Sequence, residues 1–160
     1  MNKDITQIEI IWGSGNATTR LSAFDKALFD ANIHNYNLIR LSSIIPSEVE
    51  IKKMGTFDRN STTIGKTLYV VMASIISTER GSTISAGLGW VLSDEGGLFI
   101  EPRGVYSKDE CREELETGLQ EMMEYREWNW RGEIEDKILS HEVENVGCTL
   151  VCAIYGTTPP

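Results

Sequence analysis

The spacing of apolar positions switches period along the chain, and each switch marks an element. Ile5 to Trp12 alternates polar and apolar residues as a strand, which Gly13-Ser14-Gly15-Asn16 is expected to end in a turn. Residues 22 to 31 change to helical spacing, with Phe24, Leu28 and Ala31 on one face and Leu21 just before them on the same side. Residues 35 to 41 return to a strand, whose imperfect alternation of Asn37, Leu38, Ile39 and Leu41 predicts cover on both faces before Pro46 stops it. Residues 48 to 64 are mixed and polar, and read as a loop. Lys66 to Ser77, Thr83 to Leu92 and Gly97 to Glu101 are three further strands, the last two joined through the turn Ser93-Asp94-Glu95-Gly96. Ser107-Lys108-Asp109-Glu110 is a capping box opening a second helix, with Cys111, Leu115, Leu119, Met122 and Met123 on one face. Strands at Lys137 to Val143 and Val146 to Tyr155 close the chain before a frayed Pro159-Pro160 tail. No repeat or separable second part interrupts this order. Strands around two amphipathic helices predict one α+β sandwich domain.

Composition narrows the function classes. With 160 residues and 41% hydrophobic content, the chain can build a sizeable core in one domain. No apolar run is long enough to span a bilayer, and Met1-Asn2-Lys3-Asp4 leads straight into a strand pattern without a secretory leader, so a cytoplasmic protein is expected. Twenty-four acidic against fifteen basic residues give a net charge of −9, which disfavours nucleic acid and would attract a cationic substrate. Cys111, Cys148 and Cys152 have no zinc-ligand spacing and read as small core residues, so no metal is expected. Gly13-Ser14-Gly15 lacks the continuation of a phosphate loop. Gly65-Lys66-Thr67 looks like the end of one but has Asn60 where glycine is required. Nucleotide binding is rejected on both counts.

Ser42-Ser43 closes the Asn37-Leu38-Ile39-Arg40-Leu41 strand and precedes Ile44-Ile45-Pro46. A hydroxyl held against the preceding carbonyl at a distorted strand end can attack it, although most such serines only bond their own backbone. The stretch from Leu21-Ser22-Ala23-Phe24-Asp25 through Asn37 to Pro46 resembles the pyruvoyl-dependent arginine decarboxylases. So do Gly81-Ser82-Thr83-Ile84-Ser85-Ala86, Gly97-Leu98-Phe99-Ile100-Glu101, and the region from Ser107-Lys108-Asp109-Glu110 to His141-Glu142-Val143-Glu144-Asn145-Val146-Gly147-Cys148. The likeness covers nearly the whole chain and is weakest over residues 48 to 66.

This resemblance implies a four-layer αββα sandwich, assembled as homotrimers or a dimer of trimers with active sites between subunits. It implies self-cleavage into residues 1–42 and 43–160, with Ser42 at the break and Ser43 converted to a covalent pyruvoyl group. That group forms a Schiff base with the substrate and does the work of pyridoxal phosphate, so no pyridoxal phosphate is expected. By the same likeness Asn37 serves processing, and Glu101 donates a proton to the carbon that loses carboxylate. Asp25 binds the guanidinium of arginine, with Leu21 and Ser42 lining the pocket, and agmatine for polyamine synthesis is the product. The helical wheel sets Asp25 between Leu21 and Phe29 in the inward half of its helix. Ser22-Ala23-Phe24-Asp25 is equally a capping-box pattern, which would leave Asp25 only a stabilising role.

Two positions depart from the family pattern. Pro102-Arg103 stands where family members carry tyrosine and glutamate, so Glu101 could instead pair with Arg103. His34 occupies a place often held by glycine, where it would narrow the pocket or simply lie on a surface loop. His141 matches a family position without a chemical role. A pyruvoyl decarboxylase of another amino acid and an unprocessed paralogue that binds a cationic amine are the competing readings.

Overall fold

The structure is a computed structural model that describes residues 4–58 and 64–160. Strands β1 (Gln7–Ala17), β2 (Asn37–Arg40), β4 (Glu50–Gly55), β5 (Thr67–Ser77) and β10 (Val146–Gly156) form a first sheet in the order β2-β5-β10-β1-β4. A second sheet runs β3 (Ile44–Ile45), β7 (Gly97–Ile100), β6 (Thr83–Ser93), β8 (Arg103–Gly104), and β9 (Trp130–Glu142) pairs the other side of β6. Helix α1 (Arg20–Asp30) covers the outer face of the first sheet and α2 (Lys108–Glu124) the outer face of the second.

Alternation along the central strands explains this layering. In β10, Cys148, Leu150, Cys152 and Ile154 point to α1, whereas Val151, Ala153 and Tyr155 point to the second sheet. Both faces are buried, so the strand reads as a nearly continuous apolar run. Three buried clusters lie between four layers, which is the αββα sandwich the resemblance implies. The three cysteines are free and buried, and burial alone pushes the Cys148 thiol up to about 12. Among the described residues no helix is long and apolar enough to cross a membrane.

Several elements differ from the sequence expectations. Gly13 to Asn16 does not end β1, which continues to Ala17 in register with β10. Its glycines serve close packing: a Cβ on Gly13 would lie 2.3 Å from the Ala27 carbonyl oxygen, and one on Gly15 2.6 Å from the Lys26 Cβ. Gly13→Ala should therefore push α1 off the sheet and cost about 1–3 kcal/mol, read as a lower denaturant midpoint. The expected loop at residues 48 to 64 contains β4, which pairs parallel to β1 with its side chains mostly exposed. Asn60 and the rest of 59–63 lie outside the described residues.

The strand at residues 35 to 41 is shorter and is not covered on both faces. β2 is an edge strand bordered only by β5, and its Asn37, Ile39 and Arg40 are exposed. α1 begins at Arg20 and takes Leu21 into the helix. Its buried face is Ala23, Ala27 and Leu28, with Phe24 partly buried. Leu21 is 82% and Phe29 66% exposed, and Asp25 between them is also exposed. Their stripe faces away from the core rather than into it, since the line of small residues meets the sheet. The expected Ser107 cap is present, accepting from the Glu110 N–H, with Cys111, Leu115 and Leu119 buried behind it.

Candidate active site

The chain crosses from one sheet to the other between β2 and β3, and Ser42-Ser43 lies in that crossing. On one side the Leu41 N–H donates to the Val70 carbonyl of the first sheet at 2.7 Å. On the other, the Phe99 N–H donates to the Ser43 carbonyl in the second sheet at 2.8 Å. The peptide bond between the two serines is thus tethered on both flanks.

Strand alternation then decides what meets Ser43. Leu98 and Ile100 of β7 pack toward α2, while Phe99 faces the space between the sheets. Glu101, two residues beyond Phe99, takes the same face. In β3, Ile45 is buried between the sheets, so Ser43 shares that side. The two side chains meet: Ser43 Oγ donates to Glu101 Oε1 at 2.6 Å across 58 residues of sequence. Both residues are partly buried, which shields the contact from competing water.

Glu101 is presented at an interruption between β7 and β8. Pro102 has no N–H to continue the ladder, and its carbonyl accepts from the Gly87 N–H at 2.9 Å. Arg103 Nη1 donates to the backbone carbonyl of Glu101 at 3.2 Å. Its recorded contact is therefore not with the carboxylate, which keeps Ser43 as its partner. The departure at Pro102-Arg103 leaves the Ser43–Glu101 contact intact.

Asn37, Asp25 and Leu21 are not brought to Ser43 within one chain. Asn37 lies at the far end of β2, about 10 Å along the strand from Arg40. Its side-chain amide donates to the Gly65 carbonyl at 2.9 Å. Asp25 and Leu21 project from the outer side of the first sheet. The cap of α1 is Thr19 with Ser22, each bonding the other's backbone, so Asp25 has no part in a capping box. Among the described residues no recorded hydrogen bond or ion pair occupies its carboxylate. His34 is half-buried with its ring 4.8 Å from that of Phe29, and its Nδ1 has no partner among the described residues. His141 stands opposite Ile84 in the β6–β9 ladder.

One residue beside the site was absent from the sequence reading. Tyr155 donates its hydroxyl to the Ile44 carbonyl at 2.6 Å, next to Ser43. Burial, and then the Glu101 charge, push its phenol well above the ordinary tyrosine range. Its signal was available: a tyrosine on the inter-sheet face of an otherwise aliphatic strand needs a partner for its hydroxyl.

Conversion of Ser43 to a pyruvoyl group would remove Oγ and replace the amide nitrogen by a ketone oxygen, and so would need no added space. The residue-43 carbonyl keeps its Phe99 donor, and Glu101 stands at the side-chain position. These residues fit such a group.

Comparison with known proteins shows what the whole chain is similar to. The family model for pyruvoyl-dependent arginine decarboxylase matches residues 7–160. A pyruvoyl-dependent arginine decarboxylase of Halobacterium salinarum is 35% identical over 156 residues, 96% of each chain. One from Pyrococcus abyssi is 41% identical over 127 residues, covering 78% of this chain and 77% of the relative. One from Methanococcus maripaludis is 33% identical over 153 residues, 91% and 87% of the two chains.

Proposed function

Because the chain belongs to the pyruvoyl-dependent arginine decarboxylase family, we propose that it cleaves itself between Ser42 and Ser43 and then converts arginine to agmatine and carbon dioxide. The observation that carries this reading is the 2.6 Å hydrogen bond from Ser43 Oγ to Glu101. It gives one of two adjacent serines a base.

In maturation, Glu101 takes the Ser43 hydroxyl proton as Oγ attacks the Ser42 carbonyl carbon. Collapse of the tetrahedral oxyanion breaks the Ser42–Ser43 amide and leaves an ester, with the residue-43 nitrogen now a free amine. Removal of the Ser43 α-proton expels the Ser42 carboxylate and leaves dehydroalanine. One water then hydrolyses its imine tautomer, releasing ammonia and leaving a ketone at position 43. A donor at the oxyanion could lower the first barrier by roughly 3 kcal/mol. Asn37 is assigned that task by family resemblance, and its position at the far end of β2 requires a rearrangement or a neighbouring subunit to supply it. The fragments 1–42 and 43–160 stay together because β1 remains paired to β10 and β4, and β2 to β5.

The pyruvoyl ketone, once formed, supplies an electron-withdrawing carbonyl with which a primary amine can condense. Glu101, facing that position, returns a proton to the substrate carbon that has lost carboxylate. Asp25 binds the guanidinium through paired charge-assisted bonds, with Leu21 and Ser42 lining the pocket. The exposure of Leu21, Asp25 and Phe29 in one chain supports a site completed between subunits, in a homotrimer or a dimer of trimers. The free thiols suit a cytoplasmic protein.

Amines released from an equimolar mixture of arginine, lysine, ornithine and histidine, measured by mass spectrometry, test the substrate. Agmatine is the expected main product; another amine leaves only the broader pyruvoyl-decarboxylase reading. Asp25→Asn should still fold and cleave, with kcat/KM for arginine about 10- to 100-fold lower, the worth of a bond to a charged group.

A further inference from the structure

We propose that Tyr155 is the positioning residue for position 43, its hydroxyl anchoring the Ile44 carbonyl so that the serine, and later the pyruvoyl group, stays aligned with Glu101. This rests on the self-cleaving reading above and assigns a residue to its execution.

β3 is a two-residue edge strand and holds poorly by itself. In an antiparallel ladder, successive residues turn their backbone groups toward the partner strand and then away from it. The Ser43 carbonyl accepts from Phe99, so the next carbonyl, on Ile44, points off the sheet edge. Tyr155 meets it there. The tyrosine comes from β10, the central strand of the first sheet, paired on both sides by β1 and β5. Its ring packs against Phe99 with centroids 6.4 Å apart. A rigid strand of one sheet thus pins the loose edge of the other.

Cleavage makes this anchor more important. Residue 43 changes from an internal residue to a chain start, and untied chain ends fray. The Phe99 bond then holds residue 43 itself, and the Tyr155 bond holds the residue after it. Burial and the nearby Glu101 charge keep the phenol protonated, so it remains a donor as the site turns over.

Tyr155→Phe keeps the ring and deletes the hydroxyl. In the uncleavable Ser43→Ala chain, the added Tyr155→Phe change should speed amide exchange at Phe99 about tenfold, leaving interior β6 and β10 amides unaffected. In the otherwise wild-type chain, self-cleavage should slow about tenfold and kcat per pyruvoyl group should fall about tenfold, with KM for arginine within about twofold. A tyrosine serving only as packing would leave all of these unmoved. Unchanged Phe99 exchange overturns the anchor, and faster exchange with unchanged cleavage and kcat overturns the positioning role. A wild-type chain that never cleaves refutes the function instead, and Phe99 exchange still decides the anchor.

Discussion

Ser43→Ala is expected to remain one 160-residue polypeptide with no decarboxylase activity, whereas the wild-type protein should separate under denaturing conditions into fragments 1–42 and 43–160. The change removes the only atom of residue 43 that can attack the Ser42 carbonyl, and with it the precursor of the ketone. It is also nearly silent for the fold. The lost side-chain contact is the bond to Glu101, while the residue-43 carbonyl keeps its Phe99 donor. Intact-mass measurement of both preparations reads the outcome directly, and the larger wild-type fragment should resist N-terminal sequencing because it begins with a ketone. A wild-type chain that stays whole after prolonged warming would remove self-processing and leave the unprocessed amine-binding reading.

Glu101→Gln should lower decarboxylation by about a hundred- to ten-thousand-fold, the usual worth of a general acid placed at the reacting atom. Glutamine has the shape to keep the hydrogen bond to Ser43, so the fold and the crossing between sheets are retained. It can neither deliver a proton to carbon nor take one from a hydroxyl. Family resemblance assigns Glu101 to turnover alone; the bond to Ser43 Oγ adds maturation, so self-cleavage of this variant should slow as well. Both rates belong on one preparation, with turnover counted per pyruvoyl group. Near-normal turnover in the cleaved variant would remove Glu101 from the mechanism. Normal cleavage with slow turnover would return it to the single role.

The elements that were easy to read share a physical origin. α2 has a capped start and one apolar face buried at Cys111, Leu115 and Leu119, so propensity, cap and burial agree over seventeen residues. β10 is apolar because both its faces are covered, and it was legible for that reason. Misreadings cluster where one local signal has two causes. The glycines of β1 look like a turn, yet they exist because α1 approaches the sheet too closely for any side chain. Asp25 looks inward on a helical wheel, because a wheel ranks residues by hydrophobicity and cannot know that Ala23 and Ala27 mark the buried line. β2 looks covered because Leu38, Ile39 and Leu41 are apolar, but it lies at an edge with Asn37, Ile39 and Arg40 exposed.

The chain by itself determined the α+β class, both helices, most of the strands and the adjacent serines on which the proposed chemistry rests. It did so because periodicity, caps and turn residues act over a few neighbouring positions. Only the tertiary structure decided that Ser42-Ser43 lies in the passage between two sheets, that Glu101 rather than Asn37 meets the Ser43 hydroxyl within one chain, and that Tyr155 stands beside them. Those contacts join residues 58 and 111 positions apart, through strands whose neighbours are chosen by burial of whole faces. No local pattern encodes that choice. It is made when the two sheets close on one another and alternation along β3, β7 and β10 turns three distant side chains into the same space.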